Sequence, residues 1–400
     1  MKKVFLFISL IILSICGIFI VSIINNKKVD IPKVYFEGDI SNMTSKKDVR
    51  QIKLKYVSEE VNFESNAEIK IQGTSSIKYD KKNYNITLYT DDYEEKNKID
   101  VGYGSQSKYC LKANWIDKTH ARNVVTARLA SEINEKYNLF EDTPNNAVID
   151  GHPVEIYING EFLGLYTWNI PKDAWMFNMD EENENHLVFA NEGWTNSSLF
   201  KAKVNDEAFS IEAGIESEDS YKKLERLSKF VRNSSNKEFK ENIDEYLNLD
   251  AAINYYILVE LAQLEDNTAK NMLISTYDGK VWSPTLYDLD SSWGTNYEGL
   301  ELLDYEKKTN LDDVLLWKKL DDNFGKEIAE RYFELRDDDI LTKEHIMDLF
   351  NEFKNSIPEE TFEKEQKKWT NIPGYDYTQI EEFLDVRIPL VDNIMKEKLK

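Results

Sequence analysis

Residues 250–294, DAAINYYILVELAQLEDNTAKNMLISTYDGKVWSPTLYDLDSSWG, constrain the fold more tightly than any other stretch of the chain. The segment opens as a helix, with Asp250 placed to cap it and an apolar run through Ile253, Tyr256, Ile257, Val259 and Leu261. Glu265-Asp266-Asn267-Thr268, a polar turn-forming cluster, ends that helix. A strand over Asn271–Ser275 follows, then Asp278-Gly279, the strongest short hairpin signal, and a return strand from Val281 to Leu286 that runs into Asp288-Leu289-Asp290. Helix, acidic loop and hairpin in this order gather Asp266, Asn271, Asp288 and Asp290 at one edge of a sheet.

That set has a chemical reading. An Asn carbonyl and an Asp carboxylate are hard oxygen donors, suited to Mg²⁺ or Mn²⁺ held on substrate phosphates. A separate Asp beside them can orient a hydroxyl and take its proton. In protein kinases the catalytic Asp precedes a metal-binding Asn by five positions, and a second metal-binding Asp follows. Asp266 and Asn271 have that offset, and Asp288 closes the next strand. Against this stand 73 Asp plus Glu in 400 residues, which make such a spacing recur by accident, and Asx residues favour turns for reasons of their own. Spacing alone leaves both readings open.

Upstream, residues 33–115 read as strands at Val34–Phe36, Ile52–Val57, Ile69–Ile71, Tyr84–Tyr89 and Tyr109–Ala113. Gln72-Gly73-Thr74-Ser75-Ser76 lies between the third and fourth, and its backbone N–H groups can face a phosphate or simply turn a hairpin. Two lysines stand where they can neutralise a nucleotide, Lys82 and Lys112. A kinase-like strand order favours Lys112, with a helix Thr119–Tyr137 after it; Lys82 is nearer the loop. Glu132 on that helix is a candidate ion-pair partner for the lysine. Val154–Ile158, Asn159-Gly160 and Glu161–Trp168 form the clearest hairpin of the chain. Trp168–Pro171 then leads to a crossover where, by analogy with kinases, an adenine would lie. From Ser220 on the pattern is helical: Tyr221–Arg232, Lys237–Tyr246, the helix from Asp250, then Asp312–Leu320, Lys326–Leu335, Thr342–Asn355 and Gln379–Lys398.

At the start, Val4–Ile24 is an uncharged apolar run between lysine pairs, long enough to cross a bilayer, and reads as one N-terminal membrane anchor with the soluble part outside the cytoplasm. Cys16 falls in that run and Cys110 stands alone outside it, so no intramolecular disulfide is expected in the soluble part. Four histidines and one usable cysteine leave little for a zinc site or a Cys-His nucleophile. A net charge of −23 argues against a nucleic-acid partner and suits a basic substrate segment.

LEDNTAKNMLI and LYDLDSSWG resemble the spore coat protein H (CotH) family of atypical, secretory-type protein kinases, which bind ATP with a divalent metal. IKIQGTSSIKYDKKNYNITL, KYCLKANWIDKTHARNVVTARL, HPVEIYINGEFLGLYTWN and IEEFLDVRIPLVDNI carry the same resemblance, spread over nearly all of the chain after the first thirty-odd residues. The resemblance implies that Gly73, Thr74, Ser75 and Ser76 form a nucleotide loop, with Lys82 at the family's more usual lysine position. It implies that Arg122-Asn123 is a recurrent pair that contacts phosphate or braces the loop Asn114–Asp117, and that Arg387 braces the helical part.

The expectation is therefore an α+β, two-lobed, protein-kinase-like fold behind one N-terminal transmembrane helix. Residues 1–30 would be the anchor and flank, 31–170 a strand-rich N-lobe, and 171–400 a helical C-lobe with the catalytic loop and metal site. Asp266 would orient the acceptor hydroxyl; Asn271 and Asp288, with Asp290, would hold the metal; Lys82 or Lys112 and Arg122 would meet ATP. The acceptor would be a Ser or Thr of a spore coat or cell-surface protein, met at the cell membrane or on the spore. A non-catalytic coat or adhesion protein derived from a kinase is the first rival. A metal-dependent glycosyl- or nucleotidyltransferase is the second, disfavoured by the Asp266–Asn271 offset and the Gly-Thr-Ser-Ser loop.

Overall fold

A computed structural model describes residues 30–73, 76–193, 200–201, 203–374 and 376–400. Seven strands come first: β1 (Lys33–Glu37), β2 (Val49–Val57), β3 (Asn62–Gln72), β4 (Asn83–Tyr89), β5 (Lys108–Lys112), β6 (Gly151–Ile158) and β7 (Glu161–Asn169). Their side chains alternate as a half-buried strand requires: in β2, Ile52, Leu54 and Tyr56 are buried while Lys53 and Lys55 face solvent. Asn159 and Gly160 take φ of 49° and 87°, the pair of positive values that a two-residue hairpin turn needs. The Asn159 side chain then reaches back to both the N–H and the C=O of Gly38, tying this turn to the end of β1.

These strands close on themselves. β1 is antiparallel to β2 and parallel to β6, giving a barrel in the order β1-β2-β3-β4-β5-β7-β6. Val34, Phe36, Leu54, Ile69, Ile86, Leu111, Val154, Ile156, Tyr166 and Trp168 fill it. The expectation of a two-lobed, kinase-like fold with a strand-rich N-lobe is thereby corrected: the strands form a closed barrel. Closure rests on backbone pairing of Lys33–Phe36 with Glu155–Ile158, a non-local contact that leaves no trace in local alternation. The expected transmembrane helix falls on residues 1–29, which lie outside the described residues, and no described helix is long and apolar enough to cross a membrane.

Helix α1 (Arg122–Lys136) separates β5 from β6. After β7 come β8 (Leu187–Asn191), β9 (Phe209–Ala213), α2 (Glu218–Asn233), α3 (Asn236–Asn242) and α4 (Leu249–Leu261). Next are β10 (Met272–Thr276), β11 (Ser283–Leu286), α5 (Leu315–Asp337), α6 (Lys343–Asn355), α7 (Glu359–Lys368) and α8 (Tyr377–Lys398). The later strands form a second sheet in the order β11-β10-β8-β9. Helix α4 is buried from Ala251 to Leu261, Asn254 and Glu260 included, and mostly apolar on every face, as a helix at the centre of a core must be. Its cap is Asn248, whose side chain accepts from the Ala251 N–H at 3.1 Å; Asp250 pairs with Arg331 instead. The two helices expected over 312–335 run on from one another in α5, joined across a kink at Phe324, whose φ of −131° is not helical. Thr342 caps α6.

Helix α7 fastens the helical part to the barrel. Its Glu365 accepts from the Leu165 N–H of β7 at 2.6 Å and from the Lys81 ammonium at 2.6 Å. Thr361 and Lys364 on the same helix both reach Glu155 of β6.

Candidate active site

A cleft of about 570 Å³ lies between the barrel and the β10–β11 hairpin. The hairpin register, Met272 opposite Leu286, places Asn271 and Asp288 at the same end. Asn271 and Asp288 both adopt the left-handed conformation, φ 58° and 57°, which Asx residues tolerate better than other non-glycine types. Asp266 sits on a short helical turn, Glu265–Thr268. That turn is held from beneath: the Tyr255 hydroxyl donates to the Asn267 carbonyl at 2.6 Å, the Asn267 amide to the Tyr287 carbonyl at 2.8 Å, and the Trp317 indole to the Thr268 carbonyl at 2.7 Å. Helix α1 fixes the other acidic segment, because Asn123 accepts the Leu289 N–H at 2.9 Å and Thr126 accepts the Trp293 indole N–H at 2.7 Å.

Asp266, Asn271, Asp288 and Asp290 all line the cleft, and so does Lys112 at the end of β5. The Lys112 ammonium stands 3.1 Å from an oxygen of Asp288, whose side chain is still 37% exposed. Burial opposes ionisation of Asp288, but the Lys112 charge outweighs it and holds this carboxyl below the usual range. Asp290 goes the other way: burial, then the charge of Asp288, push it up to about 8. Two neighbouring carboxyls driven apart in this way are crowded anions, the arrangement that a divalent cation relieves. Asp266 is raised to about 6, chiefly by burial.

The remaining sequence candidates separate. Gly73 and Ser76 line the cleft, with Gly73 at φ 107°; Thr74 and Ser75 lie outside the described residues. Lys82 does not line it, because its ammonium is turned onto the Ile77 and Tyr79 carbonyls, where it pins the loop. Arg122 is fully buried against Asp117 and Gln379, a brace between α1 and α8 rather than a cleft residue. Glu132 bonds His345 at 2.6 Å and not a lysine. Trp168 points into the barrel core, so it offers no face to a ligand. Arg387 pairs with Glu260 and caps the Tyr305 and Lys307 carbonyls, as a brace.

Sequence reasoning missed Lys172 and Glu212, both lining the cleft, and the stacked rings of Tyr79 and Trp115, 5.9 Å apart, which line it too. The only available signal was the position of Lys172 directly after Pro171, where the chain leaves the barrel.

The acidic residues present hard oxygen donors and suit Mg²⁺ or Mn²⁺. Among the described residues no group of three or more His, Cys, Asp or Glu is arranged to hold a metal ion. A cation at Asn271, Asp288 and Asp290 would therefore complete its shell with ligand oxygens and water, the usual habit of Mg²⁺. Residues 69–388, most of the chain, match a family model described as CotH kinase protein. No curated protein matches the chain.

Proposed function

The chain belongs to the CotH kinase family, and from that premise we propose that it moves the γ-phosphoryl group of ATP to a Ser or Thr hydroxyl of a protein. The observation that carries this reading is the convergence of Lys112, Asp266, Asn271, Asp288 and Asp290 on one cleft. The family's tie to the spore coat points to a coat or surface protein as acceptor, and the net charge of −23 favours a basic acceptor segment.

Asp266 takes the acceptor proton. A carboxylate raised to about 6 is ionised at neutral pH yet basic enough for this work, the match general-base catalysis calls for. Asn271, Asp288 and Asp290 would hold the cation, which when bound would supply the charge that neutralises the phosphate oxygens. Lys112 faces the same phosphates from the barrel side, and Gly73 and Ser76 line the same cleft. Phosphoryl transfer depends on positioning and charge neutralisation, so each of these groups should matter by about 10²-fold or more in rate.

The test is ATP binding by the purified chain with Mg²⁺ and Mn²⁺, beside Asp288→Ala and Asp266→Ala. Metal-dependent binding lost in Asp288→Ala, with transfer but not binding lost in Asp266→Ala, is the expected result. A folded chain that binds no nucleotide with either metal would sink the enzyme and return the non-catalytic coat protein as the better reading.

A further inference from the structure

Lys172 follows Pro171 at the exit from β7 and lines the cleft. Its ammonium stands 4.8 Å from the centre of the Tyr287 ring, while that of Lys112 stands 5.3 Å from the same ring. Two cations thus share the aromatic residue that immediately precedes Asp288. Glu212 on β9 grips Lys172 at 2.8 Å, and the Ser210 hydroxyl stands between Glu212, at 3.1 Å, and Glu192, at 3.0 Å. Both partners of the ion pair are mostly buried, with side chains 23% and 21% exposed.

The two lysines are tethered differently. Lys112 leans on Asp288, one of the groups that would hold the cation, so its counter-ion is shared with the metal. The counter-ion of Lys172 lies outside that set and stays in place whether or not a cation is bound. An ammonium carries three donors; Glu212 takes one and fixes the direction of the others. Two ammonium groups, each leaning on one carboxylate, thus stand over the same ring in the cleft, with donors left over for an anionic ligand.

We propose that Lys172, positioned by Glu212, contacts the phosphate chain of the bound nucleotide, so that a lysine pair and not Lys112 alone neutralises it. This rests on the phosphotransfer reading. Lys172 is then a binding residue and Glu212 a positioning residue for it.

Calorimetric titration of the full chain with ATP, ADP and adenosine, each with Mn²⁺, tests the assignment. Lys172→Met should weaken ATP and ADP binding by roughly 10- to 100-fold, the loss of one charge-assisted hydrogen bond. Adenosine affinity should change by less than about twofold, since adenosine presents no phosphate to lose. Lys172→Arg should restore most of the ATP affinity, a rescue that lost packing alone would not give. Glu212→Gln should weaken ATP by a smaller factor and again spare adenosine; it also serves as the second variant if Lys172→Met does not fold. ATP binding to Lys172→Met or Glu212→Gln at wild-type strength, or an equal loss for ATP and adenosine, overturns the proposal and leaves the phosphotransfer reading standing. A wild-type chain that binds no nucleotide overturns both.

Discussion

Lys112 and Asp288 stand 176 residues apart in sequence and meet at 3.1 Å across the cleft. The pair joins the end of β5, in the barrel, to the loop after β11. It also sets the charge state of the site, because the lysine keeps Asp288 ionised beside an Asp290 raised to about 8.

Lys112→Met should therefore do more than remove a phosphate contact. Asp290, at about 8, already holds a proton at pH 7; without the ammonium the two partly buried carboxyls face less opposing charge, and that proton is held more tightly. Cation binding must then displace that proton. Metal-dependent ATP affinity should fall by about 10-fold or more at pH 7 and recover partly by pH 9. Titrations at the two pH values read this directly; a pH-independent loss would mean that only a phosphate contact was removed.

Asp266→Asn should separate chemistry from binding. Rate should drop by about 10²- to 10⁴-fold, the usual span for a lost general base, while ATP affinity changes little. The wild-type rate should fall as pH drops through about 6, where burial has placed the Asp266 carboxyl, since protonation removes the base. Single-turnover measurements from pH 5 to pH 8 check the sign. A rate that rises on acidification excludes Asp266 as the proton acceptor.

What the sequence made legible was local. The 151–169 hairpin announces itself through Asn159-Gly160 and alternation, and the β10–β11 hairpin through Asp278-Gly279. The reversal at Asp278-Gly279 is enough to bring Asn271 and Asp288 to one hairpin end, but the turn lies inside a longer connection between Thr276 and Ser283, so the register itself was not legible. Barrel closure was illegible, since β1 finds β6 through backbone hydrogen bonds across more than a hundred residues. Helix α7 was illegible for another reason. Its buried positions are Thr361 and Glu365, so it has no apolar stripe for periodicity to find; it docks by ion pair and hydrogen bond. The choice between Lys82 and Lys112 likewise turns on partners that only the folded chain supplies, two carbonyls for one and Asp288 for the other.

The docking of α7 makes a stability prediction. Lys81 and Glu365 are both buried, 1% exposed each, and 2.6 Å apart. Removing one partner strands the other charge, so Lys81→Met should destabilise the chain by about 3–5 kcal/mol. The double variant Lys81→Met/Glu365→Gln should cost clearly less than the sum of the single changes, as expected for residues in direct contact. Urea unfolding of the four proteins gives the coupling. Strict additivity would show that the pair does not act as a unit.

His152 supplies the last prediction. Its two ring nitrogens are each covered by a tyrosine hydroxyl, Tyr56 on Nε2 and Tyr103 on Nδ1, both at 2.9 Å. A neutral imidazole has one N–H and one lone pair, so one tyrosine accepts and the other donates. A second ring proton would force the donating tyrosine to turn its hydroxyl hydrogen away and accept instead, and burial, aided by Arg128, lowers this histidine to about 4. The unfolded chain, with an ordinary histidine near 6.5, then binds a proton that the folded chain refuses. Stability is full above about 6.5 and is lost as pH falls toward 4, by about 3 kcal/mol at the lower end. His152→Gln keeps a polar side chain that does not titrate. Its unfolding free energy should decline less steeply between pH 7 and pH 5 than that of the wild type, by up to one proton's worth of slope. Parallel slopes in urea titrations across that range would show that His152 already protonates freely in the folded barrel.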